Sequence, residues 1–162
     1  MMTTAQSLAV IQAHFKALNW GDSHDVEGLV AADFVWRNRS TEQTFFGPDG
    51  YQAYLSGWRA AFPDFWVEIS HLAASTQSVV CEYTLRGMHN GTLRLPGSFV
   101  FATRRQIDLP VCETFRIVNG RLSQANTYFD LTTLLQQIGL LLKPSTDRSF
   151  HDVLLSPITY QN

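Results

Sequence analysis

The stretch from Leu109 to Phe129, LPVCETFRIVNGRLSQANTYF, holds two alternating runs joined by Asn119-Gly120. Asn-Gly between alternating apolar positions is the strongest short hairpin signal, because both residues tolerate the left-handed backbone a two-residue turn demands. Residues 109–118 and 121–129 therefore read as paired antiparallel strands. Val111, Glu113, Phe115 and Ile117 share one face of the first strand, and Cys112, Thr114 and Arg116 the other. In the second strand Ala125, Thr127 and Phe129 share a face. Asp130 follows immediately, where a helix N-cap belongs. Leu131, Leu134, Leu135, Ile138, Leu141 and Leu142 then recur at helical spacing up to Pro144.

Upstream of the hairpin, residues 65–72, 78–89 and 98–103 alternate as strands. The longest carries Val79, Cys81, Tyr83, Leu85 and His89 on one face. Nearer the N-terminus the period changes from two to 3.6. Leu8, Ile11, Phe15 and Leu18 make one face of a helix over residues 3–19, and residues 25–32 read as a second, short helix. A strand over 34–39 places Phe34, Trp36 and Asn38 together. A third helix opens at Gly47-Pro48-Asp49-Gly50, shows Tyr51, Tyr54, Leu55, Trp58 and Phe62 on one stripe, and ends at Pro63. Helices first and strands afterwards give an α+β class, with a curved antiparallel sheet wrapped around the helices.

The chain has 162 residues, the size of one domain. Hydrophobic residues make up 45% and charged residues 16%, which excludes a disordered chain. Twelve basic and 14 acidic residues leave a net charge of −2, with no basic cluster for nucleic acid or an anionic membrane. No apolar run approaches a membrane span, and the N-terminal helix is interrupted by Gln12, His14 and Lys16, so a cytoplasmic protein is expected. Cys81 and Cys112 form neither a disulfide framework nor a metal-binding pattern. No phosphate loop or metal motif is present, so neither cofactor nor metal is expected. Aromatic residues reach 12%, enough for a bulky core or for a ligand cavity walled with rings.

Several short segments, in their order, resemble the SnoaL-like polyketide cyclases. These are Phe46-Gly47-Pro48-Asp49-Gly50, Trp58, Ala61-Phe62-Pro63-Asp64, Gly87-Met88-His89-Asn90-Gly91, Phe115 to Arg121, and Asp130 with Leu134, Gln137, Ile138 and Gly139. That group belongs to the nuclear-transport-factor-like superfamily, with ketosteroid isomerases, scytalone dehydratase and limonene epoxide hydrolase. The resemblance implies a ketosteroid isomerase-like, cone-shaped barrel over residues 1–142, followed by an irregular tail over 143–162. It also implies an apolar pocket for a small hydrophobic ligand and a homodimer formed through the outer sheet face. The implied activity is cyclisation, isomerisation or a related reaction of a carbonyl compound by cofactor-free acid–base catalysis.

In these cyclases an acid–base aspartate stands three residues before the aspartate that opens the final helix. Asp130 matches the second; Thr127 occupies the first, and threonine cannot act as a base near neutral pH. Glu113 is the alternative: a carboxylate on an apolar strand face is unusual, and it matches a pocket histidine of the cyclases. Apolar surroundings in general make a carboxyl group a better base. Glu113 reads equally as a structural carboxylate paired with a buried Arg, or as an outer-face residue displaced by a bulge near Pro110. His89 matches a second cyclase histidine and is the candidate proton-transfer partner, against a strand-end histidine satisfied by backbone. Trp36, Asn38, Trp58, Phe62, Tyr83, Phe115 and Thr127 are the candidate substrate-binding residues. Tyr54, Trp66, Phe99 and Phe101 are further rings for the wall, and His14 reads as a satisfied helix histidine. The competing functions are an enzyme, a binding protein with the same pocket and no turnover, and a scaffold using only its dimer surface.

Overall fold

Thr3 and Gln6 cap the first helix reciprocally: the Thr3 Oγ1 accepts from the Gln6 amide at 3.2 Å, and the Gln6 side chain accepts from the Thr3 amide at 2.8 Å. Helix α1 (Thr4–Trp20) follows, burying Ser7, Ile11, His14, Phe15, Ala17 and Leu18. The computed structural model describes residues 2–20 and 26–142. After α1 come α2 (Val26–Leu29), β1 (Val30–Asn38), β2 (Gln43–Phe46) and α3 (Gly47–Ala61). The second half holds β3 (Trp66–Ala74), β4 (Ser78–Met88), β5 (Leu93–Leu95), β6 (Ser98–Val100), β7 (Gln106–Val118), β8 (Arg121–Phe129) and α4 (Leu131–Gln137).

Six strands form one sheet in the order β2-β1-β8-β7-β4-β3, and β5 pairs with β6 in a separate hairpin. The α+β class is as expected, but the sheet is mixed: β1 runs parallel to β8, and the other pairs are antiparallel. The long excursion through six strands returns β8 beside β1 in the same direction, which a hairpin-only reading does not anticipate. β2 and β3 remain free edges, so the sheet is not a closed barrel. Register shifts in β1, β3 and β8 bend it around α1 and α3. Between the helices and the concave face lie Phe34, Trp36, Tyr51, Phe62, Leu109, Ile117 and Leu122, all fully buried.

Elements that fix the site follow from local chemistry. α3 has Pro48 in its first turn and Asp49 near its positive end, and the Phe62 amide closes its last turn on the Trp58 carbonyl at 2.8 Å. Arg59 of α3 donates to the carbonyls of Ala17 and Leu18 at 2.7 and 2.6 Å, satisfying the C-terminal end of α1 and clamping the two helices. Past β4 the chain crosses α3 so closely that a Cβ on Gly91 would sit 1.8 Å from the Ala60 carbonyl oxygen. In the decisive hairpin Asn119 and Gly120 both take positive φ, 51° and 75°.

Boundaries differ from expectation at several elements: the strand expected over 98–103 ends at Val100, and the one expected from Leu109 begins at Gln106. The second helix is one turn long, and residues up to Ala32 already belong to β1, held by pairing with β8. α4 stops at Gln137 although the leucine stripe continues to Leu142. Gly139 turns left-handed at φ 83°, and the Leu140 amide folds back on the Leu135 carbonyl. β2 and β5 are strands the pattern does not announce. The tail expected over 143–162 lies outside the described residues.

Candidate active site

Glu113 on β7 and Thr127 on β8 are direct cross-strand partners, both inward-facing and both 1% exposed. Alternation through Val111, Glu113 and Phe115 survives Pro110 without displacement, because no register shift falls there. Thr127 Oγ1 donates to Glu113 Oε1 at 2.6 Å. Trp36 Nε1 donates to the same Thr127 oxygen at 2.7 Å, and the Tyr54 hydroxyl does so at 3.2 Å. A hydroxyl has one proton and two lone pairs, and an indole can only donate. Two incoming donors therefore commit the Thr127 proton to Glu113, whose Oε1 is an acceptor.

The opposite oxygen of Glu113 faces α1. His14 Nε2 lies 3.7 Å from Glu113 Oε2, and neither atom has another hydrogen-bond partner among the described residues. His14 Nδ1 meets the Tyr51 hydroxyl at 3.0 Å, and its ring packs against Phe15, Trp36, Tyr51 and Phe115. His14 is thus part of the site, not a bystander in a helix. Its spacing within Ile11, His14, Phe15 and Leu18 carried that signal. Among the described residues no buried Arg pairs with Glu113, and a histidine takes that place.

Burial, and after it the negative charge of Glu113, push the hydroxyls of Tyr51, Tyr54 and Tyr83 well above the ordinary tyrosine pKa. The same two causes push the Cys81 thiol up to about 12. Around the carboxylate, every hydroxyl and thiol is therefore held neutral.

A cleft of about 250 Å³ opens above this network. Asn38, Thr41, Gln43, Phe45, Tyr54, Trp58, Arg94 and Phe129 are among its lining residues. Tyr54 stacks on Trp36, with ring centroids 3.9 Å apart. Tyr54 is thus the member of the hydrogen-bonded network that also lines the cleft.

Of the expected binding residues, Asn38 and Trp58 line that cleft. Asn38 spends its Oδ1 on the amides of Ser40 and Thr41, shaping the turn into β2. Trp36, Phe62, Tyr83 and Phe115 are buried in the core, Thr127 is a buried member of the hydrogen-bonded network, and none of the five lines the cleft. His89 is not brought to Glu113. The cross-strand neighbour of Glu113 is Cys81, and His89 follows eight positions later, roughly 26 Å along a strand. It is fully buried instead against Phe62, with Nδ1 3.0 Å from the Thr103 hydroxyl. Trp66, Phe99 and Phe101 are exposed and wall no cavity near Glu113. Asp130 caps α4, as its position suggested, accepting from the Thr132 amide and the Thr133 hydroxyl. Among the described residues no group of three His, Cys, Asp or Glu could hold a metal ion, and no helix is long and apolar enough to cross a membrane.

The sequence profile of the SnoaL-like polyketide cyclases matches residues 9–138, and the chain belongs to that family. No curated protein matches it. Among solved structures, a candidate SnoaL-like polyketide cyclase from Jannaschia sp. CCS1 is 19% identical, with 84% of this chain and 93% of that one covered at a TM-score of 0.74. TsrD from Streptomyces laurentii is 21% identical over 87% and 100% of the two chains, TM-score 0.72. IdmH from Streptomyces antibioticus, a candidate polyketide cyclase, is 23% identical over 81% and 96%, TM-score 0.67. At these identities the likeness is one of fold.

Proposed function

We propose that the protein is a cofactor-free acid–base catalyst of the cyclase or isomerase kind, acting on a small hydrophobic carbonyl compound held in the cleft, with Glu113 as the proton acceptor. The observation that carries the reading is the directed chain from the Tyr54 hydroxyl to Thr127 Oγ1 to Glu113 Oε1. The family's aspartate position holds Thr127. The residue directly opposite Thr127 on the neighbouring strand is the carboxylate Glu113.

The step balances as a relay. A carbon next to the carbonyl loses its proton to Tyr54 Oη as the Tyr54 proton passes to Thr127 and the Thr127 proton to Glu113. The reverse sequence returns the proton to the rearranged product. Because its pKa is held high, Tyr54 neither stores charge nor waits as phenolate; it only conducts. His14, on the far oxygen, positions the carboxylate.

Glu113→Gln keeps shape and removes the acceptor, so turnover of ring ketones should fall about 10²–10⁴-fold with little change in binding. Tyr54→Phe cuts the relay and should fall comparably. Unchanged turnover in Glu113→Gln would falsify the assignment.

The second reading, a binding protein without turnover, is favoured by one feature: Glu113 is 1% exposed and does not itself line the cleft. Wild-type protein that binds ring ketones but leaves them unchanged would establish it.

A further inference from the structure

Two features of the cleft have no part in the relay. Arg94 on β5 is a cation in its lining, and the lining contains no carboxylate among the described residues. Among the described residues Arg94 forms no ion pair; its guanidinium sits 5.7 Å from the centre of the Phe99 ring. A protein of net charge −2 thus carries one cation and no carboxylate on the lining of this cleft, Glu113 lying outside that lining.

Gly57 is the second feature. It lies within α3, where glycine is the poorest helix former after proline. Close packing does not require it: a Cβ built there would meet nothing within 4 Å. Gly57 also lines the cleft. The missing side chain therefore leaves open space on the helix at a position that lines the cleft together with Tyr54 and Trp58.

We propose that the cleft selects a planar ring compound bearing a free carboxylate, the ring lying over Gly57 between Tyr54 and Trp58 and the acid group meeting Arg94. The inference rests on the reading of the cleft as the ligand site and deepens it by naming the ligand class: an acid, not its ester. Arg94 would pair a carboxylate through two parallel N–H donors, a geometry an ester oxygen cannot match. Catalysis is not required for it.

The test is equilibrium binding of 2-naphthoate and of its neutral methyl ester, read by quenching of tryptophan fluorescence and by calorimetry. Wild-type protein should prefer the acid. Arg94→Gln should weaken the acid about fivefold, the size of a half-solvated ion pair, and leave the ester unchanged. Arg94→Lys should recover part of that loss. High salt should weaken the acid alone. Gly57→Leu should abolish binding of both probes, whereas Gly57→Ala should keep it and raise the melting temperature, showing that loss in the larger variant is not misfolding. Equal affinity for acid and ester, an unchanged preference in Arg94→Gln, wild-type-like binding by Gly57→Leu, or no binding of either probe would each overturn the proposal. Glu113→Gln separates the two readings: with one negative charge fewer behind the cleft, it should bind 2-naphthoate at least as tightly as wild type whether or not the catalytic assignment survives.

Discussion

Thr127 shows how far a single residue can be read. Its side chain cannot be a base, and that much follows from the letter alone. What it does follows only from three neighbours that arrive from β1, α3 and β7: Trp36 and Tyr54 fill its lone pairs, and Glu113 takes its proton. Strand parity placed Glu113 inward, and it is inward. Parity could not give the distance along the strand. His89 therefore reads as a neighbour of Glu113 in sequence logic and lies at the other end of β4 in the structure.

His89 carries a pH prediction of its own. It is fully buried, its Nδ1 accepts from the Thr103 amide at 3.3 Å, and Nε2 has no partner among the described residues. Burial lowers its pKa below the ordinary 6.5. The unfolded chain takes up a proton near pH 6.5 that the folded chain refuses. Stability is therefore whole above that pH and declines as pH falls from 6.5 through the lowered folded value. His89→Gln retains an acceptor for Thr103 and removes the titration. Melting temperatures between pH 7.5 and 5 should fall less steeply in the variant than in the parent. Identical slopes would show that another group carries the acid sensitivity.

At the scale of elements, legibility tracked the strength of the local signal. The Asn119-Gly120 hairpin, the Pro48 helix start and the Asp130 cap were all readable, because each is a short-range backbone requirement met by a specific residue. β2 was not, because its turn is made by Asn38, whose Oδ1 accepts from the amides two and three residues ahead, and by Glu42 at φ 58°, which no turn dipeptide advertises. The end of α4 was missed for the opposite reason: the leucine stripe runs on while Gly139 ends the helix. The hairpin gives the test at this scale. Gly120 stands at φ 75°, where a Cβ is strained, so Gly120→Ala should cost roughly 1–2 kcal/mol. For a domain of this size that lowers the melting temperature by about 2–4 °C per kcal/mol. A melt equal to wild type would mean that the turn relaxes to another type.

At the scale of the molecule, the concave face of the sheet is used by the core, and the convex face has nothing on it among the described residues. Val80, Thr114, Cys112 and Tyr128 are linked there by register, since Val80 opposes Thr114 and Cys112 opposes Tyr128. Val80 and Tyr128 are exposed, and so is Trp66 on the same sheet beneath the Arg86 guanidinium. Arg86 also bridges Glu68 and Asp108, so a charged row flanks the apolar one. A mixed apolar and charged sheet face suits an isologous contact, in which the same patch meets itself about a two-fold axis. A stable contact of this kind needs about 800 Å² from each partner, a demand that a single hairpin does not meet and a sheet face does. We therefore expect a homodimer packed sheet against sheet, with a scattering mass of about twice the 18.3 kDa of the chain at micromolar concentration. Val80→Lys with Tyr128→Lys places four like charges across the two-fold axis while leaving the inward face untouched. That variant should run as a folded monomer with an unchanged far-ultraviolet spectrum, since β4 and β8 keep their buried sides. If the wild-type chain is monomeric, the convex face is an ordinary solvated surface. If the double variant remains a dimer, the contact lies elsewhere, and the exposed β5–β6 hairpin with Phe99 becomes the surface to mutate next.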